Sequence, residues 1–414
     1  MAFCGHDESE ESANQCNFLQ LLRFFADHNN DIEKVVLNNA MENRKMIALE
    51  VHKDLIYACA METTNAIIHE IGDEFFSILL DESRDISVKE QMALALRFVD
   101  SKGYVVERFL GIVHVRDPTA SSLKAAIEVL LLKHNLSLSR VRGQCYDGAS
   151  NMRGEFNGLK ALILQENSSA YCVHCFAHQL QLPLVVVAKK IPQVAAFFNL
   201  EKLLERLLGA FESGELSTSK GSNQERGLVE VFIALNNDIE ILDMKDMYKN
   251  LGRPRRKEVL TNVNYFRFEL VKVVIDWQLQ ELNNRFNGAN TNLLLWVSCF
   301  SPKSSFAAFK RSKLIELTHC YPLEFFEVDF RLLDKKLKTY IRDMRSHEEF
   351  SNLESMGDLS QRLVSTGKHI VYPLVYLLIK LALVQPVVTA SVERYFLAMN
   401  IMKSCLRNKM GDLG

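Results

Sequence analysis

The chain has 414 residues, enough for two or three domains at roughly 100 to 200 residues each. Hydrophobic residues make up 48% and charged residues 24%, proportions that exclude a generally disordered, collagen-like or fibrous chain. The net charge of −2 argues against a protein that coats nucleic acid, but residues 1–90 hold 18 acidic and 7 basic side chains, so the rest carries a net +9.

Prolines and cysteines narrow the class of protein further. Only 8 prolines are present, which favours a helix-rich chain. Nine scattered cysteines, an odd number, are typical of reduced thiols in a cytosolic or nuclear protein. The acidic N-terminus lacks the features of an export signal, and the most apolar stretch, residues 370–384, is shorter than the ~20 residues that a membrane span needs. We therefore expect no membrane association.

The hydrophobic periodicity predicts a helical N-terminal region followed by an α/β unit. In chain order we expect strands over 75–80, 91–99 and 104–115, a helix over 123–134, a strand over 141–146, a helix over 151–166, a strand over 171–173 and a helix over 179–198. Residues 200–372 lose the strand pattern and become helical, and two further helices end the chain, the last over 390–409.

Two aspartates follow predicted strands and are candidate metal ligands. Asp81 comes after the first strand and Asp147 after the fourth, and carboxylates at the ends of neighbouring strands suit a divalent cation such as Mg²⁺. Both residues also fit a purely local role in a turn or helix cap, because Asp before Gly is common there.

Glu393 and the segment 172–178 are ambiguous by themselves. Glu393 lies in the first turn of the last predicted helix, where an acidic residue simply complements the helix dipole. Two cysteines and two histidines within residues 172–178 invite a zinc interpretation, but a structural site needs four ligands and no second pair lies nearby, so we expect no zinc. Cys175 and His178 could form a nucleophile pair, or a partly buried thiol and a polar histidine beside a metal cleft.

Basic and aromatic residues alternate over 245–272, with eight Lys or Arg against three acids. Such a segment can bind phosphates and stack bases, although a solvated helix face with core aromatics is the commoner explanation. A cluster within it is also compatible with a nuclear-import signal and supplies candidate DNA contacts. The cluster consists of Arg253, Arg255, Arg256 and Lys257.

Four motifs occur in the order seen in one family of DNA-handling proteins. They are residues 80–85 (LDESRD), 142–152 (RGQCYDGASNM), 174–180 (HCFAHQL) and 390–396 (ASVERYF). With them the chain resembles hAT-superfamily transposases, most of all the plant group whose full-length members carry a TTF-type zinc finger, and the related zinc finger MYM-type proteins.

The resemblance implies an RNase H-like catalytic domain, a mixed α/β sheet with flanking helices, interrupted by an all-helical insertion and followed by a C-terminal dimerisation region. Asp81, Asp147 and Glu393 match the acidic triad that binds two Mg²⁺ or Mn²⁺ ions, and Cys175 and His178 match a Cys-x-x-His motif beside it. The implied partners are DNA and a second copy of the chain, or a higher oligomer, in the nucleus. The expected organisation is a helical region over 1–73, the first part of the core over 74–199, a shortened insertion over 200–320 and the dimerisation region over 321–414.

The chain also departs from the family pattern. It starts just after the position where the zinc finger would end, and the Gly-Asp-Thr-Arg-Trp-Gly-Ser-His type motif of the insertion is missing around residues 223–232. We therefore expect a transposase-derived protein, ancestrally cutting and joining DNA by two-metal phosphodiester transfer, that is defective in transposition. The alternative is a catalytically silent nuclear protein that dimerises and interacts through its C-terminal helices.

Overall fold

A computed structural model describes residues 17–40, 49–84, 89–147, 149–154, 157–191, 245, 261–285 and 289–402. The chain divides into two compact units, one formed by Met1–Phe176 with Gly288–Gly414 and the other by Ala177–Asn287. The basic cluster of Arg253, Arg255, Arg256 and Lys257 lies outside the described residues. So do the first residues of the chain and residues 223–232, where the insertion motif is expected. The predicted four-part organisation stays a prediction.

The strands of the first unit form one mixed five-stranded sheet in the order β3-β2-β1-β4-β5. The strands are β1 (Phe76–Arg84), β2 (Glu90–Val99), β3 (Val105–His114), β4 (Val141–Tyr146) and β5 (Tyr171–His174). The first three strands pair antiparallel, whereas β1 pairs with β4 and β4 with β5 in parallel. This arrangement confirms the predicted RNase H-like α/β fold.

The described helices precede the sheet, connect some of its strands and follow it along the chain. Before and within the sheet region they are α1 (Asn17–His28), α2 (Asn30–Glu33), α3 (Leu49–Ile71), α4 (Ala120–Lys133), α5 (Ser150–Arg153), α6 (Leu159–Glu166) and α7 (Phe176–Lys190). In the second unit α8 (Asn262–Asn264) continues through a π-helical turn, Tyr265–Leu270, into α9 (Val271–Arg285). The first unit then resumes with α10 (Ala289–Ser298), α11 (Lys303–Phe306), α12 (Arg311–Thr318), α13 (Glu327–Ser346), α14 (Met356–Ser365), α15 (Lys368–Val371), α16 (Pro373–Val384) and α17 (Ala390–Met402).

Alternation along the strands places apolar side chains on both faces of the sheet. The even-numbered residues Ile78 and Leu80 of β1 belong to the same hydrophobic core as Leu123 and Ile127 of α4. On the opposite face, Leu79 belongs to a small core with residues of α17. That core consists of Leu79, Ala93, Ala95, Val392, Phe396 and Met399. The sheet is therefore covered on both sides, and α17 is fixed against the centre of one face.

A larger core holds the C-terminal helices together around α13, α14 and α16. At its border with β4, Arg142 and Glu324 form an ion pair whose side chains are only 4% and 3% exposed. The Arg142 guanidinium also lies 4.0 Å from the centre of the Phe75 ring, and its Nη1 donates to the carbonyl of Ser139 at 2.6 Å. Breaking such a pair leaves an uncompensated buried charge, so it ties β4 to the C-terminal helices.

Within the part of the chain that the structure describes, every helix is too short or too polar to cross a bilayer.

Candidate active site at the sheet edge

The register of the parallel strands aligns the two candidate aspartates. Leu79 of β1 pairs with Cys145 of β4. Asp81 lies two residues beyond Leu79 within β1, and Asp147 lies two residues beyond Cys145, directly after the end of β4 at Tyr146. Neighbouring parallel strands lie ~4.8 Å apart, so we expect the two residues to come close together at this end of the sheet. We expect their side chains to project from the same face, because a step of two residues keeps the face of a strand.

That face is the one covered by α17. Leu79 packs with Val392 and Phe396 of this helix, and a Cβ atom on Gly143 would lie 2.7 Å from Cδ of Pro386 in the segment that leads to it. Leu79 of β1 and Gly143 of β4 thus face the polypeptide that carries Glu393. Asp147 also makes the local contact expected of a turn aspartate, since its Oδ1 accepts a hydrogen bond from the Ala149 amide at 3.1 Å.

The position of Asp81 differs from the sequence prediction in one respect. The first strand does not end at this residue but continues to Arg84. The reason is that β2 extends beyond β4 and pairs with this part of β1, with Asp81 opposite Ala93. Asp81 is therefore held within a hairpin ladder, which fixes its backbone more firmly than a loop would.

Glu393 lies in the first turn of α17, is exposed, and is held by a chain of hydrogen bonds that reaches the end of β4. Its Oε1 accepts from the hydroxyl of Thr389 at 3.1 Å. The same hydroxyl and the amide of Thr389 lie 3.3 Å and 3.4 Å from Cys175 Sγ. The amide of Cys175 in turn donates to the carbonyl of Tyr146 at 3.2 Å, directly before Asp147.

Cys175 is fully buried, which argues against the nucleophile interpretation because a nucleophilic sulfur must reach a substrate. It hydrogen-bonds Cys145, and this contact together with burial raises the pKa of the Cys145 thiol well above its ordinary value. The six cysteines that the structure describes form no disulfide with one another, Cys59 being exposed and the other five buried. His178 lies in the first turn of α7, half-buried, and belongs to the second unit.

A second network fixes the start of α17 to the sheet, and the sequence analysis missed it. The hydroxyl of Ser391 donates to the carboxylate of Glu107 on β3. Glu107 accepts from Arg97 Nη1 on β2 at 2.5 Å, and Arg97 Nε donates to the carbonyl of Leu383 at 3.0 Å. The available signal was Arg97 itself, a lone charge inside a predicted apolar strand, which needs a partner when half-buried.

Glu82 is a further acidic residue at this edge that the sequence analysis did not single out. Burial raises the pKa of its carboxyl, the hydrogen bond from Asn151 lowers it, and the charges of Asp147 and Glu90 raise it, with a net upward shift. Asn151 Nδ2 lies 3.2 Å from Glu82 Oε2 and 2.9 Å from the carbonyl of Pro118. Negative charge is thus concentrated around the ends of β1 and β4.

The first part of the chain is similar to a family of known proteins. Residues 1–158 match the family described as DUF4371, the ZMYM1/FAM200 RNase-like domain. The matched segment carries Asp81 and Asp147 but ends before Cys175, His178 and Glu393. The chain is also 26% identical over 141 residues, 34% of its length, to the human "52 kDa repressor of the inhibitor of the protein kinase". That alignment covers 18% of the human protein, so the chain is similar to less than a fifth of this relative.

Proposed function

We propose that this chain is a protein derived from a hAT-type transposase, with a DNA-cleaving site formed by Asp81, Asp147 and Glu393. The observation that supports the proposal is the parallel register of β1 and β4 up to Leu79 and Cys145, two residues before Asp81 and Asp147, beside the face that α17 covers. The RNase-like domain family matched by residues 1–158 supports it.

The donor set fits Mg²⁺ or Mn²⁺, because both prefer carboxylate oxygens. Asp81, Asp147 and Glu393 would hold such ions, which would supply an activated water or 3′ hydroxyl and charge stabilisation for the leaving oxygen of a phosphodiester. The chain itself supplies one ligand position on β1 and another directly after β4, while Thr389 orients the carboxylate of Glu393 through its hydroxyl. The network from Ser391 to Glu107 holds the start of α17 so that Glu393 keeps its place at the sheet.

Transposition needs recognition of specific DNA ends in addition to cleavage. The chain departs from the family in the insertion motif, so we place it among transposase-derived proteins that act in the nucleus and no longer mobilise an element. DNA is the proposed partner, and a second copy of the chain is the proposed protein partner.

The test is nicking of a supercoiled plasmid by the full chain with Mg²⁺ or Mn²⁺. Asp147→Asn removes a ligand charge with almost no change in shape, and we expect it to lower the rate at least ~100-fold. Asp73→Asn, an exposed aspartate before β1, is the matched control and should leave the rate unchanged. If Asp147→Asn nicks the plasmid as fast as the unmodified chain, Asp147 is not a ligand of the cleavage site.

The second candidate function is that of a catalytically silent interaction protein. Three large apolar side chains at the start of α13 and in the turn before it favour it, since Leu323, Phe326 and Val328 are 65%, 69% and 76% exposed. If no metal supports nicking and calorimetry detects no Mn²⁺ binding by the unmodified chain, this second function replaces the first. Sedimentation velocity tests the dimer, and a monomer at micromolar concentration would contradict it.

A further inference from the structure

Helix α13 has two opposite faces of very different chemistry. Its buried side is formed by Leu333, Leu337, Tyr340 and Met344, which pack into the core of the C-terminal helices. At 3.6 residues per turn these positions lie on one side of the helix, so the residues about half a turn away must face water.

The outward side carries a stripe of five exposed basic residues. The stripe consists of Arg331, Lys335, Lys338, Arg342 and Arg345. Their spacing of four, three, four and three residues places them within an arc of about 80° and along about 21 Å of the helix axis. One row of positive charge therefore runs along about two thirds of the length of α13, on one side of the helix.

Apart from Arg345, whose position in the last turn suits the helix dipole, this row does not stabilise the helix. Like charges three or four residues apart repel each other, and a solvated helix face normally relieves this with acidic residues at the same spacing. Helix α4 does so, because Lys124 pairs with Glu128 and also reaches Glu166 at 2.7 Å. The row on α13 lacks such an alternation.

Few acidic groups of the described residues balance the stripe. Asp334 lies 3.6 Å from Lys338, but its other oxygen is 2.7 Å from Arg311 of α12. Arg345 donates to the carbonyls of Ser305 and Phe306, both at 3.0 Å, which uses its guanidinium without neutralising its charge.

Three basic groups of the stripe remain, and the described part of the chain supplies no acidic partner for them. Among the described residues no carboxylate forms an ion pair with Arg331, Lys335 or Arg342. Repulsion between these like charges destabilises the helix. An external anion that matches the length of the row would relieve this repulsion.

We propose that the α13 stripe binds the phosphate backbone of duplex DNA. The proposal rests on the proposed function, in which DNA is the substrate. Each DNA strand carries about six phosphates over 21 Å, so the row spans enough negative charge to engage each of its side chains. Contacts of this kind set the position of a duplex without reading its sequence.

The experiment measures binding of the full chain to a short fluorescent duplex by anisotropy, in EDTA, over a series of salt concentrations. The stripe variant combines Arg331→Gln, Lys335→Gln, Lys338→Gln and Arg342→Gln. Each lost phosphate contact lowers the slope of log K against log salt by about 0.9, so we expect the slope to fall by about 3 to 4. The affinity at low salt should fall at least about tenfold.

A charge-matched control separates the stripe from net charge alone. It combines Lys102→Gln, Arg116→Gln, Lys133→Gln and Lys160→Gln, which lie on other elements of the first unit. We expect this control to keep the slope, and circular dichroism should show that both variants remain folded.

Three outcomes would contradict the proposal that the stripe binds duplex DNA. One is an unchanged slope in the stripe variant, another is an equal loss in the control, and the third is binding to anionic lipid vesicles but not to DNA. The proposed cleavage site can fail independently, since Asp147→Asn tests nicking with metal whereas the slope is measured in EDTA. If the stripe variant binds DNA like the unmodified chain while Asp147→Asn is inactive, DNA binding by the stripe is contradicted and the proposed cleavage site is supported.

Discussion

The hydroxyl of Thr389 lies 3.3 Å from the sulfur of Cys175. The same oxygen lies 3.1 Å from Glu393 Oε1. A hydroxyl has one proton to donate, so Thr389 can donate to the sulfur or to the carboxylate but not fully to both. Thr389 is fully buried, and its hydroxyl connects the end of the sheet to the proposed ligand on α17.

We predict that Thr389→Val weakens metal-dependent cleavage without unfolding the protein. Valine has nearly the same shape, but it cannot orient Glu393, and loss of such a supporting hydrogen bond typically costs 10- to 100-fold in metal affinity or activity. The measurement is the nicking rate as a function of Mn²⁺ concentration, which should be half-maximal at a concentration at least about tenfold higher.

Two variants serve as controls for Thr389. Thr389→Ser keeps the hydroxyl and should restore the metal dependence, and Thr339→Val removes an exposed hydroxyl that bonds only its own helix. An unchanged metal dependence in Thr389→Val would mean that the hydroxyl does not position Glu393.

Local sequence signals were sufficient for most of the sheet. The strand predicted over 141–146 is β4 itself, and β2 extends the predicted 91–99 by one residue. The continuous helix predicted over 151–166 is wrong, because the structure has α5 and α6 instead. Gly154 and Gly158 stand between these two helices, and glycine is a poor helix former within a pattern that otherwise suits a helix.

The supporting contacts of the site could not be predicted, because they join distant parts of the chain. Ser391 and Glu107 are 284 residues apart, and Gln385 reaches the carbonyl of Arg142 across 243 residues at 2.7 Å. Periodicity describes the face of a helix but not the element that it packs against. The strand pattern alone makes Asp81 and Asp147 candidate ligands, whereas Glu393 is proposed only through the order of four motifs, and Glu107 and Thr389 have no motif of their own.

The pH dependence of stability should reveal the burial of Glu82. Its pKa is raised in the folded protein, chiefly by burial, above the ordinary value of about 4.3 in an unfolded chain. Between these two pKa values the folded state holds the proton more tightly, so stability is lost as the pH rises through this window. The ionised carboxylate consequently destabilises the fold at neutral pH.

We predict that Glu82→Gln raises the free energy of unfolding at pH 7 and that this gain shrinks as the pH falls toward 4. The amide oxygen of glutamine can still accept the hydrogen bond from Asn151. Urea denaturation in EDTA measures the difference. Glu348→Gln, at an exposed position, should show no comparable trend. A variant that is less stable than the unmodified chain at pH 7 would contradict the sign.

The close approach of β4 to the segment before α17 requires Gly143. A Cβ atom there would lie 2.3 Å from Ser77 Oγ and 2.7 Å from Pro386 Cδ, distances at which a neighbour must move. We predict that Gly143→Ala destabilises the protein by about 1–3 kcal/mol, the usual cost of overpacking, and slows nicking because Pro386 leads into the helix of Glu393. Urea denaturation and the plasmid assay measure the two effects.

Gly357→Ala is the matched control for Gly143→Ala, since a Cβ atom at residue 357 meets only Ser355 Oγ at 3.6 Å. Within a helix this change should be neutral or stabilising by up to about 1 kcal/mol. Adding Ser77→Gly to Gly143→Ala removes the hydroxyl clash but leaves the proline, so we expect only partial recovery of stability. Full recovery of both stability and nicking would show that Ser77 alone limits the space, and that Pro386 does not transmit the strain to α17.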